Sequence, residues 1–285
     1  IDTKAYPGIN FLFIEANPDN DQAEYYHPNN LGYFSFYVKP DQFSPLTDVT
    51  FDGVHILNND IVSAKPFINI MIRDENKQSP IKDTSNMIVK LRSETTGKIE
   101  TIVMDGVKCK FIPATANGKN EAFIEFRPEL EDGNYTLIVQ AKDNVGNQLG
   151  SSTATNSYQI SFEVINKSTI THVLNYPNPF STSTQFVFTL TGSEVPSQFK
   201  IQILSVTGKV VKEITKAELG NIHIGRNITD YKWDGTDKYG QQLGNGVYLY
   251  RVITTDKNGE AIDKKINSNI DKYFKNEYGK LYIMR

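Results

Sequence analysis

Phe199-Lys200-Ile201-Gln202-Ile203-Leu204-Ser205-Val206 runs at a period of two, Thr207-Gly208-Lys209 supplies a turn, and Val210–Ile214 returns. A period of two places successive side chains on opposite faces of an extended chain. The unit is therefore predicted to be a β-hairpin, with Gly208 at the turn position that favours positive φ. Outward from it the same pattern recurs in Gln185–Leu190 and Gly246–Val252. Upstream it recurs in Phe11–Glu15, Tyr33–Val38, Asp48–Val54, Phe67–Ile72, Met87–Leu91, Ile99–Val103, Cys109–Ile112, Ala122–Phe126, Tyr135–Ala141 and Tyr158–Val164. Turn signals separate these runs, among them Asn58-Asn59-Asp60, Thr96-Gly97, Asp105-Gly106, Asn117-Gly118 and Asp132-Gly133. No stretch sustains an apolar stripe at i, i+3, i+4, i+7, and Lys216–Asn221 is predicted to make one helical turn at most. Short strands about ten residues apart predict an all-β chain of tandem immunoglobulin-like sandwiches.

Composition sets the outer bounds. The 285 residues are 39% hydrophobic and 22% charged, enough to fill several small cores. The formal net charge is −3 with both signs interspersed, so no basic face invites nucleic acid. The sequence opens on Ile1, in mid-pattern, and reads as the C-terminal portion of a longer protein. Two polar or proline-rich stretches predict boundaries, Pro40–Pro45 and Asn166-Lys167-Ser168-Thr169. The expected organisation is residues 1–44 as the last strands of an incomplete domain, 45–166 as one sandwich, 167–171 as linker and 172–285 as a second sandwich.

Catalytic readings find little support. Cys109 is the single cysteine, which excludes an internal disulfide and a cysteine-based zinc site. It sits in an alternating run and is expected to be a buried core thiol. His27, His55, His172 and His223 are scattered. Trp233 is the single tryptophan and is expected in the core, although with Tyr231, Tyr239, Tyr248 and Tyr250 it would also suit a sugar platform. Asp234 and Asp237 share one turn and cannot face each other across a glycosidase cleft. Gly240–Gly246 lacks the lysine and the following helix of a phosphate loop. No cofactor is expected. Calcium is the metal that Asp19-Asn20-Asp21 with Glu24, Asp74-Glu75-Asn76, or Asp143 with Asn147 would take. All three sets read first as turn residues bonding their own backbone.

The last part of the chain carries a recognisable series of motifs: Tyr176-Pro177-Asn178-Pro179-Phe180, Val206-Thr207-Gly208-Lys209-Val210-Val211, Trp233-Asp234-Gly235 with Gly240, Gly244-Asn245-Gly246-Val247-Tyr248-Leu249-Tyr250, and Lys280-Leu281-Tyr282-Ile283-Met284-Arg285. In this order the series resembles the type A C-terminal sorting domain of the type IX secretion system of Bacteroidetes. One departure is the segment Asp256–Asn276, longer than a hairpin to the last strand and expected to be a flexible excursion. The middle of the chain resembles the region downstream of the peptidase-like domain in gingipain-related, C25-family surface proteins. That resemblance rests on Leu46 to Asn58 with Ile61 to Pro66, and on Glu15 to Pro18 with His27 to Asn30. Gly133 to Asn147 resembles the penultimate strand and turn of bacterial immunoglobulin-like and fibronectin-III-like modules, with Tyr135, Leu137 and Val139 on one face.

The sorting resemblance implies an address rather than an enzyme. Its partners would be a shuttle barrel and a giant translocon barrel in the outer membrane. A surface sortase would cleave at Asn166, Lys167, Ser168 and Thr169. Lys280–Arg285 would be the element read by the machinery, as a short strand pairing at a sheet edge or presented to a partner, with Leu281 and Ile283 on one face and Tyr282 and Met284 on the other. The competing readings are a carbohydrate- or host-binding adhesin and an accessory domain of a C25-like peptidase.

Overall fold

The computed structural model describes residues 6–26, 28–77, 79–115, 118–149, 156–264, 274–275 and 278–285. Among them the chain is all-β, with one short helix and one 3₁₀ turn. No helix among the described residues is long and apolar enough to cross a membrane.

The chain begins with an isolated antiparallel hairpin of β1 (Gly8–Glu15) and β2 (Leu31–Val38). Its register sets Phe13 opposite Tyr33 on one face and Leu12 opposite Phe34 on the other. Both faces are apolar and open, with Phe13 64% and Phe34 60% exposed. Two strands have no second layer on which to bury such faces, so hairpins of this kind are marginal alone.

The middle sandwich is built from β3 (Leu46–Phe51), β4 (Asp60–Val62), β5 (Ile68–Arg73), β6 (Met87–Ser93), β7 (Ile99–Thr101), β8 (Cys109–Ile112), β9 (Glu121–Phe126), β10 (Gly133–Ala141) and β11 (Tyr158–Val164). One sheet runs β4-β11-β10-β6-β7 and the other β3-β5-β9-β8. Alternation does the work: Ile68, Ile70 and Ile72 of β5 and Leu137 and Val139 of β10 turn inward and are fully buried. Each such side chain contributes roughly 1.5–3 kcal/mol relative to exposure. Tyr135 shares their face, as expected, and stacks on Phe162 at 5.8 Å. β4 falls where the sequence predicted only a turn, and it pairs parallel to β11. Pro40–Pro45 is not a free linker. Asn147 Nδ2 donates to the carbonyls of Asp41 (3.1 Å) and Phe43 (3.2 Å), fastening the segment to the end of this sandwich.

The second sandwich consists of β12 (Thr169–Tyr176), β13 (Gln185–Thr191), β14 (Gln198–Ser205), β15 (Val210–Thr215), α1 (Lys216–Leu219), β16 (Gly225–Ile228), β17 (Gly246–Thr255), β18 (Asp263–Lys264), β19 (Phe274–Lys275) and β20 (Tyr278–Ile283). Its sheets run β16-β13-β12-β18 and β15-β14-β17-β20-β19. The predicted hairpin is β14–β15, with Gly208 in its turn at φ 85°. The boundary needs correction. Thr169, Ile170 and Thr171 are buried in β12, and Thr169 Oγ1 lies 2.8 Å from Thr191 Oγ1. The connection between sandwiches is thus Ile165 to Ser168, of which Asn166, Lys167 and Ser168 are exposed. The start of the expected excursion is also ordered: Asp256 accepts from the amides of Asn258 and Glu260 at 2.8 Å, and β18 pairs parallel to β12. Residues 265–273 and 276–277 lie outside the described residues.

The two sandwiches meet where β4 passes β16. The Ser63 hydroxyl donates to the Ser193 carbonyl at 3.1 Å, and a Cβ on Gly225 would lie 2.4 Å from the Ile61 carbonyl oxygen. His223, Arg226, His55 and Asp60 line the small cleft beside this contact.

Candidate functional site

The motifs that are separate in sequence converge on the terminal strand. β20 pairs antiparallel with β17, with Leu281 opposite Tyr248 and Ile283 opposite Gly246. Leu281 and Ile283 are buried, and Tyr282 and Met284 are exposed, as the alternation predicts. The strand is expected to pair at a sheet edge or be presented to a partner; it pairs with β17 on one side, and on the other β19 lies against Tyr278 and Gly279 while a loop covers the rest. Asn178 Nδ2 donates to the Lys280 carbonyl, and Asn178 Oδ1 accepts from the Tyr282 amide, each at 3.0 Å. The Phe180 amide donates to the Tyr282 carbonyl at 3.0 Å, and the Met284 amide donates to the Phe180 carbonyl at 2.9 Å. The loop Tyr176–Phe180 therefore fills the hydrogen-bonding positions a further strand would take. The peptide bonds before Pro177 and Pro179 are both cis.

The end of the strand is held equally closely. Asn245 Oδ1 accepts from the Arg285 amide and Asn245 Nδ2 donates to the Arg285 carbonyl, each at 3.0 Å. The Arg285 guanidinium donates to the carbonyls of Leu243 (2.8 Å) and Asp234 (2.5 Å). Beneath it, Trp233 is fully buried, packs 5.6 Å from Phe180 and donates its indole N–H to the Thr236 carbonyl at 2.9 Å. Its main chain bridges Thr184 in both directions at 2.9 Å. Gly235 passes under Arg285 at φ 76°, where a Cβ would lie 2.5 Å from the guanidinium. Tyr248 and Tyr250 donate their hydroxyls to the carbonyls of Gly244 (3.0 Å) and Val173 (3.3 Å). The burial of Trp233 removes it from any sugar platform.

What this arrangement presents outward is a side-chain face. Tyr282 stands opposite Val247, and Lys280 opposite Leu249. Tyr282 and Val247 are each 38% exposed, and Met284 lies beyond them at 63%. Arg251, farther along β17, donates to Gln202 Oε1 at 2.7 Å. The outer surface at the chain end is thus an apolar strip with cations at its margin. Gly208 sits in the β14–β15 turn and takes no part in the clasp. Thr184 and Leu243 belong to it but carry no sequence signal beyond their position in loops.

The remaining candidates resolve into structural roles. Cys109 is 0% exposed, and burial, with a smaller push from Asp105, raises its thiol to about 11. His55 pairs with Asp48 at 2.7 Å, away from that thiol's strand, and His27 lies outside the described residues. Asp234 caps the Thr236 amide (3.1 Å), and Asp237 accepts from the amides of Tyr239 (2.8 Å) and Gln241 (2.9 Å). Asp74 and Asp143 do bond their own turns, through the amides of Asn76 (2.6 Å), Val145 (2.9 Å) and Asn147 (2.8 Å). They also come together with Asp41, which the sequence does not foretell. Asp19, Asp21 and Glu24 form no such group among the described residues.

No family model matches the chain, and no curated protein matches it. Among solved structures it is similar to dimeric latent PorU from Porphyromonas gingivalis, at 19% identity over 85% of this chain and a TM-score of 0.33. It is also similar to a tetra-tandem repeat from the extending region of a large adhesion protein, at 16% identity over 90% of the chain and a TM-score of 0.30. A third is the FN1–FN3 region of chicken CNTN1, at 8% identity over 88% of the chain and a TM-score of 0.24. The chain spans 23%, 53% and 69% of those chains respectively.

Proposed function

We propose that Thr169–Arg285 is a sorting module of the type IX secretion kind, attached to a spacer sandwich and directing a surface protein across the outer membrane. The observation that carries this reading is the convergence of the motif series on the last strand. Tyr176–Phe180, Trp233–Gly235 and Gly244–Tyr250 all hold Lys280–Arg285, the first and last through the side chains of Asn178 and Asn245 and the second through the Asp234 carbonyl. An ordinary closing strand needs no such investment of three separate loops in one short segment.

Recognition in this reading uses the outward face rather than strand addition, because Asn178 and Phe180 already occupy the free edge of β20. The shuttle barrel would bind Lys280, Tyr282 and Met284 with Val247, where apolar area and a flanking cation are both exposed. A surface sortase would cleave within Asn166-Lys167-Ser168, the part of the connection that is accessible.

The test is export of the full chain, behind a secretory leader, in a bacterium with the type IX system. Wild type should reach the surface, and Tyr282→Glu with Met284→Glu should leave a folded protein in the periplasm. Surface delivery that is unchanged by the double substitution, or by loss of the translocon, sinks the proposal.

A further inference from the structure

The acidic residues that the sequence scatters over three segments meet at one end of the middle sandwich. Asp41 comes from the segment entering β3, Asp74 follows β5, and Asp143 lies just after β10. One carboxylate oxygen of each lies within 4.8 Å of the other two. Asp74 and Asp143 are only 7% and 6% exposed. Most of the oxygens have partners: Asp143 takes the Val145 and Asn147 amides and the Asn147 side chain (2.7 Å), and Asp41 takes the Phe43 amide (3.2 Å) and Asn76 Nδ2 (2.8 Å). Asp74 Oδ1 takes the Asn76 amide, but Asp74 Oδ2 is buried with no hydrogen-bond partner. A buried carboxylate oxygen without a donor is costly, and two more carboxylates beside it add repulsion. Among the described residues no lysine or arginine pairs with any of the three.

We propose that Asp41, Asp74 and Asp143 bind one calcium ion, which joins the segment between β2 and β3 to the end of the middle sandwich. The donor set is entirely oxygen, without imidazole or thiolate, which selects a hard cation. Three carboxylates from three separate loops make an irregular cage, with carbonyls or water left to complete six to eight ligands. Calcium tolerates that geometry, whereas magnesium demands a near-ideal octahedron. The hydrogen bonds from Asn147 and Asn76 already hold Asp41 in place, so the ion adds to a formed site and need not build one. This inference is independent of how the second sandwich is used.

The test is calcium titration of the full chain after EDTA treatment and desalting, followed by calorimetry and by the thermal midpoint. One ion per chain should bind, half-saturating at about 0.1–1 mM as extracellular modules do. The midpoint should then rise by several degrees, because the ion binds only the folded state. Asp74→Asn should abolish uptake while raising the calcium-free midpoint, since it removes a like charge from the cluster. Asp41→Asn, in the entry segment outside both sheets, should weaken uptake at least tenfold, and it decides the matter if Asp74→Asn fails to fold. The proposal is overturned if about 10 mM calcium neither binds nor moves the midpoint. It is equally overturned if magnesium matches calcium, or if the Asp variants respond like wild type.

Discussion

The side-chain amide of Asn178 pairs with the main chain around Tyr282 as a neighbouring strand would, accepting from the Tyr282 amide and donating to the Lys280 carbonyl, both at 3.0 Å. Asn245 does the same for Arg285 at the other end of the segment. Asn178 thus closes an edge that would otherwise expose unpaired donors and acceptors, while Asn245 extends the ladder on the opposite, β17 side. Asn178→Ala removes both bonds and should destabilise the second sandwich by about 1–3 kcal/mol in urea denaturation. Hydrogen exchange at the Tyr282 amide should accelerate in step. An unchanged exchange rate there would show that Phe180 alone holds the edge.

Gly235 tests the contact between the Trp233 turn and the chain end. Its φ of 76° disfavours any side chain, and the added Cβ would meet both the Arg285 guanidinium at 2.5 Å and Ile283 Cδ1 at 3.2 Å. Gly235→Ala should therefore cost about 1–3 kcal/mol, more than backbone strain alone, because Arg285 must leave the Asp234 and Leu243 carbonyls. The excess should vanish in the background Arg285→Ala, which a double-mutant cycle measures directly.

How much of this was readable beforehand depended on the range of the interaction. The strand Phe199–Ser205 and the inward set Tyr135, Leu137 and Val139 were legible because side-chain alternation is local. Thr169–Thr171 reads as linker because threonine is polar, yet the Thr169 amide and hydroxyl both meet the Thr191 hydroxyl across the sheet, a partner that local composition does not reveal. β4 was hidden by the Asn58-Asn59-Asp60 turn signal, since its pairing with β11 spans the whole sandwich. The motifs around Trp233 and Asn178 were visible as residues, but their common target was not. The meeting of Asp41, Asp74 and Asp143 follows only from topology.

His223 should make the stability of the chain depend on pH near neutrality. Partial burial beside the β4–β16 contact lowers its pKa below the usual imidazole value, against the opposing pull of the Arg226 main chain, Asp52 and Asp60. The unfolded chain then binds the proton more readily than the folded one. The stabilising contribution is complete above about pH 7 and is lost as pH falls through the unfolded value of about 6.5 toward the lower folded one. The loss of stability between about pH 7.5 and about pH 5.5 should be larger in wild type than in His223→Gln. Equal pH dependence in the two chains would remove His223 from the account.

The N-terminal hairpin should contribute surface without stability. Phe11 stacks on Tyr33 at 5.2 Å, but both rings are more than half exposed, and the opposite face is equally apolar. Removing residues 1–38 should leave the main unfolding midpoint unchanged, because the ties from Asn147 and Asn76 reach only as far back as Asp41. Binding of a hydrophobic dye to the native state should fall, in proportion to the aromatic area removed. A lowered midpoint would mean that the hairpin packs on the sandwich in solution.

Cys109 separates a structural thiol from a nucleophile by its reactivity. It occupies the first position of β8, opposite Phe126 on β9, and has no exposed surface. Burial holds the thiol up at about 11, and the negative charge of Asp105 pushes in the same direction. At about pH 8 the thiolate is then a small minority, and the reagent has no path to it without opening the sheet. A disulfide exchange reagent should leave the native chain unmodified for hours and react stoichiometrically once urea unfolds it. The rate at intermediate urea should track the global unfolding equilibrium, because Cys109 is fully buried in the middle core. Prompt labelling of the native protein would place the thiol at a surface, and would reopen the nucleophile reading that its burial closes.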